Sequence, residues 1–232
     1  MKDNEDRILE LLPDDIRVAY QEGDTEKVEA KLNELENYGR AESLYAAAAA
    51  SAIGFGRRKQ NIKKAIELYE RSAEKGYAPA MNSLGLAYME GYGVDVDYEK
   101  ARKLFEKAEE LGNADAACNL GTIYDEGLGV IKNSHFARQN YEKAIEFGDI
   151  DAYCNLAIMY EDGIGVKQNA SKAIELLRKG AALGSADAMY NLGVIYSQGK
   201  HTPKDKDEAR LWFGRAAALG DEEADKELRK LY

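Results

Sequence analysis

A 36-residue period runs through this 232-residue chain and constrains its fold more than any other feature. Ala80, Ala116, Ala152, Ala188 and Ala224 fall in one column. Leu84, Leu120, Leu156 and Leu192 recur four residues later, and Tyr88, Tyr124, Tyr160 and Tyr196 four after that. Gly91, Gly127, Gly163 and Gly199 follow, then Ala101, Ala137, Ala173 and Ala209, and finally Gly112, Gly148, Gly184 and Gly220. A period in this range marks a stacked solenoid, in which each unit buries its apolar face only against its neighbours. Solenoids of this kind usually bind other proteins.

Each unit reads as a helix pair, so the fold class is all-α. Ala80, Leu84, Ala87 and Tyr88 follow the i, i+4, i+7, i+8 spacing of a first amphipathic helix. The second runs from about Tyr98 to Leu111, with Ala101, Leu104, Phe105 and Ala108 inward. Asn61, Asp97, Asn133, Asn169 and Asp205 stand where a side-chain oxygen caps the second helix. The glycine column at 112 suits the left-handed residue that ends it. Asn113, Asp149, Ser185 and Asp221 are placed to cap the next first helix.

The repeats divide as 80–115, 116–151, 152–187 and 188–223, with a degenerate copy at 44–79 whose alanine-rich first helix is shifted by one residue. Residues 1–43 read as an N-terminal helical cap containing a helix pair at Asp14–Tyr38, turning at Gly23-Asp24, with Val28, Leu32 and Leu35 on one face. Residues 224–232 read as a C-terminal capping helix.

Charge narrows the partners. The formal net charge is −10, and residues 1–40 carry twelve acidic against six basic side chains. An acidic chain repels phosphate backbones, which argues against nucleic acid. No apolar run reaches membrane-spanning length, and Met1-Lys2-Asp3-Asn4-Glu5-Asp6 lacks the basic start of a signal peptide. A cytoplasmic location is expected unless a leader has been removed. Cys118 and Cys154 share a repeat position. Neighbouring repeats place such atoms roughly 10 Å apart, a helix-packing distance beyond disulfide reach, so two free thiols are expected. They also lack zinc-ligand spacing.

The run Asn119-Leu120-Gly121-Thr122-Ile123-Tyr124 with Gly127-Leu128-Gly129-Val130 closely resembles the Sel1-like repeat family, as do Asn155–Tyr160 with Gly163-Ile164-Gly165-Val166. This family is a relative of the tetratricopeptide repeats with a longer turn between helices. The resemblance covers about 44–223. It implies a right-handed α/α superhelix whose first helices line a concave surface that binds proteins or peptides. Members serve as adaptors in signalling, in protein quality control, and in bacterial host-interaction or toxin–immunity systems. The secreted cysteine-rich branch staples each repeat with a cysteine pair, a pattern this chain lacks. The last repeat departs too, with Lys200-His201 and Pro203 in place of the second turn glycine and the valine.

At about 100° per residue, positions 82, 86, 89 and 90 lie opposite the repeated side of the first helix. Their columns vary: Asn82, Cys118, Cys154 and Tyr190; Leu86, Thr122, Ile158 and Val194; Met89, Asp125, Glu161 and Ser197; Glu90, Glu126, Asp162 and Gln198. Repeated residues maintain a fold, so variable residues on the open face are the candidate protein-binding set. The windows 79–90, 115–126, 151–162 and 187–198 contain eight acidic residues and no lysine or arginine. Five of the eight sit at helix C-terminal ends, where the macrodipole disfavours negative charge by roughly 0.3–1 kcal/mol each. Solvated turn residues are one account. A shallow acidic groove for a basic or amphipathic protein segment is the other. Asn119, Asn155 and Asn191 lack the neighbouring lysines of a carboxylate clamp and read as hydrogen bonding between adjacent helices.

Nothing in the chain collects a catalytic set. The Gly-x-Gly turns follow a helix and lack the P-loop lysine. Ser134-His135 are sequence neighbours rather than a triad, and His201, beside Lys200 and Lys204, reads as a solvated loop residue. Trp212 falls on the core side of its helix and reads as packing. The expectation is a non-catalytic binding scaffold without cofactor or metal, with an immunity-type or regulatory binder as one form that family analogy suggests. The alternatives are a hydrolase of the kind proposed for some Sel1-like proteins and a homo-oligomer using Tyr190 and Val194.

Overall fold

The computed structural model describes residues 2–57, 59–199 and 202–232. The described residues hold fourteen α-helices, one short 3-10 turn and no strand. They fall into two compact units, Met1–Asn113 and Ala114–Tyr232.

The first unit opens with α1 (Lys2–Leu11), α2 (Asp14–Gln21) and α3 (Thr25–Tyr38), followed by the pairs α4 (Ala41–Ile53) with α5 (Ile62–Glu74) and α6 (Ala78–Glu90) with α7 (Tyr98–Glu110). The α2–α3 pair is the one its apolar spacing predicts, with Asp24 capping α3 and Val28, Leu32 and Leu35 buried. Helix α1 was not legible in advance; Ile8 and Leu12 anchor it in the same core as α4. In α4, Ala46 to Ala50 are all buried. That run has no solvent face, which is why it shows no helical period.

The second unit holds α8 (Ala114–Glu126) with α9 (Ser134–Phe147), α10 (Ala152–Asp162) with α11 (Ala170–Ala182), α12 (Ala186–Gln198) with α13 (Lys206–Ala218), and α14 (Glu222–Arg229). Each first helix begins about two residues ahead of the Ala column used to phase the sequence repeats, or at that column in α10.

One backbone device closes every turn between the helices of a pair. The amide of each capping residue donates back to the first helix: Asp97 to the Tyr88 carbonyl (2.9 Å), Asn133 to Tyr124 (2.8 Å), Asn169 to Tyr160 (2.8 Å) and Asp205 to Tyr196 (3.0 Å). In the 44–79 copy, Asn61 donates to Ser51 (2.9 Å), one residue out of register, as the shift in the alanine-rich helix predicts. The same five side chains then accept the amide of the third helical residue at 3.0–3.2 Å, each worth about 1 kcal/mol. The turn glycines do a second job. A Cβ on Gly165 would stand 2.5 Å from Cβ of Ser134, at the start of the second helix of the preceding repeat. Only a bare backbone seats there.

Candidate functional site

The side of each first helix that meets its own second helix is tightly specified. Gly193 lies flat against the ring of Phe213, where a Cβ would come within 2.5 Å of the ring. Gly85 with Phe105 and Gly121 with Tyr141 repeat the arrangement. Burial pushes the Tyr141 phenol well above its ordinary range, with its hydroxyl 3.5 Å from Thr122 Oγ1.

The opposite side carries three of the four expected columns. Leu86, Thr122 and Val194 are half-buried and Ile158 is 45% exposed. Met89, Asp125, Glu161 and Ser197 are half-buried, while Glu90, Glu126, Asp162 and Gln198 are exposed. These residues share one face of their helices within each unit.

The fourth column belongs to that face only in part. Asn82 and Cys154 are buried at 7% exposure, and Cys118 and Tyr190 are partly covered. In the second unit, α10 and the residue that caps α12 reach this position. Cys154 Sγ lies 3.9 Å from Ser185 Oγ, and Asn155 Nδ2 donates to Cys118 Sγ at 3.4 Å. Tyr190 packs on Phe213 with ring centroids 5.6 Å apart and lies in the field of Glu227 and Glu223 of α14. Asn82 and Cys154 are therefore withdrawn from the open surface, and Cys118 and Cys154 contact the next first helix and its cap residue. Both thiols are free. Burial, reinforced by nearby Asp149 and Asp187 respectively, pushes Cys118 up to about 12 and Cys154 up to about 11, which leaves both unreactive near neutrality. Of the asparagine column, Asn155 bridges adjacent first helices in this way.

The acidic rows are less isolated than the helix windows imply. Lys132, from the turn outside those windows, brings its Nζ to 3.6 Å from Asp125. The Glu161 backbone carbonyl accepts from Gln168 Nε2 at 2.8 Å.

Two clefts lie between neighbouring first helices at equivalent repeat positions. In Ala114–Tyr232, a cavity of about 90 Å³ sits between α10 and α12, lined by Ile158, Leu177, Val194 and Ile195, with Glu161, Asn191 and Gln198 as its polar groups. In Met1–Asn113, one of about 150 Å³ is lined by Ile62, Ile66, Tyr69 and Leu86, with Ser83, Glu90 and Tyr92. Gln60 Nε2 donates to Tyr92 Oη at 2.9 Å and to the Ala52 carbonyl at 2.7 Å, tying two walls of that cleft together. Sequence reasoning found Leu86, Glu90, Ile158, Glu161 and Val194, but not the floors, which come from second helices.

Trp212 packs against the core and donates its Nε1 to Glu208 at 2.9 Å. His135 is exposed at the start of α9. The turn at Lys200-His201 lies outside the described residues. Among the described residues no His, Cys, Asp and Glu group has the geometry to hold a metal, and no helix is long and apolar enough to cross a membrane.

The Sel1 repeat family model matches residues 41–77, 78–113, 114–149, 150–185 and 186–221. A Sel1 repeat protein from Oxalobacter formigenes is similar over 94% of this chain and 88% of its own, at 30% identity and a TM-score of 0.83. The protective antigen c5321 of uropathogenic Escherichia coli aligns over 90% of this chain and 43% of its own, at 31% identity and a TM-score of 0.67. Immunity protein Pa5087 from Pseudomonas aeruginosa shares the fold at 24% identity over 79% of this chain and 67% of its own, with a TM-score of 0.59. No curated protein matches the chain in sequence.

Proposed function

The chain belongs to the Sel1 repeat family, and from that premise we propose that it is a non-catalytic scaffold holding a basic or amphipathic segment of a partner protein on the open face of its first helices. Sel1 repeat proteins are generally protein-interaction scaffolds. The observation that carries the finer reading is the variability of the columns at 86, 89 and 90, which stay accessible while the columns around them repeat. In the second unit apolar Ile158 and Val194 alternate there with Glu126, Glu161 and Asp162, and in the first Leu86 stands one turn from Glu90. An apolar strip rimmed by carboxylates suits a segment carrying both apolar and cationic side chains.

Quantitative affinity capture from native extract tests this. A partner retained by the wild type should be lost both with Glu126→Lys/Glu161→Lys/Asp162→Lys and with Ile158→Asp/Val194→Asp. Equal retention by all three baits sinks the reading.

A further inference from the structure

The helices of the second unit separate charge by layer. The first helices α8, α10 and α12 carry six acidic side chains and no lysine or arginine. The second helices α9, α11 and α13 carry eight basic side chains against five acidic ones. Both layers keep the repeat. Glu126 and Asp162 stand exposed at one repeat position of the first-helix layer, and Lys143, Lys179 and Arg215 share one position of the second.

Lys179 and Arg215 are exposed. Lys179 Nζ lies 2.8 Å from Glu175 of its own helix, and Arg215 lies 4.9 Å over the Trp212 ring. Contacts of this kind are weak at a solvated surface and yield to a better-placed partner. Apolar side chains accompany the cations. Leu211, 44% exposed, precedes Arg215 by one turn, and Phe136, 48% exposed, precedes Lys143 by two. The second-helix layer therefore displays the chemistry proposed above for a bound segment, cations beside exposed apolar groups. Its cations also recur once per repeat, as do the exposed acids of the first-helix layer. A contact made in one repeat is then available again in the next, a match that an unrelated basic segment has no period to provide.

We infer that the open first-helix face of one copy receives the second-helix layer of another, with Lys179 and Arg215 meeting Glu126 and Asp162. This rests on the groove reading above and names a second copy of this chain as an occupant. The two contacting faces differ, so the contact is heterologous and continues past two copies unless the stack closes into a ring. The formal net charge of −10 opposes any self-contact at range. The attraction has to come from the two rows themselves.

Sedimentation equilibrium of the full chain tests it, with two charge-reversed variants and their mixture. The average mass of the wild type should rise with concentration and not level off at two copies. Lys179→Glu/Arg215→Glu alone should weaken association at least tenfold. So should Glu126→Lys/Asp162→Lys alone, although it reduces the net negative charge. Mixed in equal amounts, the two variants should associate again, because the reversed row of each meets an opposite row on the other. A wild type that stays monomeric, or a plateau at two copies, would overturn the self-contact. So would association indifferent to either variant, or a mixture no heavier than its components. If the self-contact falls but a captured partner is still lost with Glu126→Lys/Glu161→Lys/Asp162→Lys, the groove reading stands with another occupant. If capture is also indifferent, both readings fall.

Discussion

Two neighbouring repeats of the second unit solve the same crossing in different ways. In the 186–221 repeat, α12 offers Gly193 and α13 fills the space with Phe213. In the 150–185 repeat, the same positions are Ala157 and Leu177, both buried. A methyl is added on one helix while a ring becomes a branched aliphatic on the other, so the crossing stays filled. The difference teaches that the repeat conserves a packed volume rather than a residue. It also bears on the surface, because Leu177 floors the small cleft between α10 and α12.

The largest test of that comparison removes the ring. Phe213 is fully buried, so Phe213→Ala should destabilise the chain by about 3–5 kcal/mol in urea unfolding, whereas Leu177→Ala should cost about 2–5 kcal/mol and fall toward the lower end. Next comes the glycine. Gly193→Ala should cost about 1–3 kcal/mol by overpacking, and Gly193→Ala/Phe213→Leu should recover more than half of that loss by copying the neighbouring repeat. If the double variant is simply additive, the two crossings are not alternative solutions. A smaller effect separates turns from crossings: Asn169→Ala and Asp205→Ala should each cost about 1 kcal/mol, equal within error despite the different crossings behind them. The smallest belongs to the open face. Ile158→Ser, at a position 45% exposed, should change stability by no more than about 0.5 kcal/mol, read from the same unfolding curves, while weakening partner binding.

Much of this architecture was legible because helix pairs announce their ends. The caps at Asn61, Asp97, Asn133, Asn169 and Asp205, and the glycines after the second helices, all do what their chemistry predicts. Helix α1 was not legible because its window, KDNEDRILEL, is mostly charged, and its burial depends on α4. The open face was only partly legible. A helical wheel groups position 82 with 86 and 89, but the wheel knows nothing of the next first helix and its cap, which bring Asn155 to Cys118 and Ser185 to Cys154. The Lys132–Asp125 pair escaped for a related reason, since its cation comes from a turn rather than from a helix window.

The contact between Gly165 and Ser134 has a consequence for how change spreads along the stack. The turn at Gly165 rests on the pair before it, as a roof tile overlaps the one below, and the first unit repeats the overlap where Gly93 lies on Ile62 and Ile66. A bulkier residue at Ser134 lifts the turn at Gly165, one repeat downstream, while the turn of its own repeat keeps its closing bond from Asn133 to Tyr124. A change at Ser134 is therefore felt in two repeats at once, in the helix it begins and in the turn seated on it.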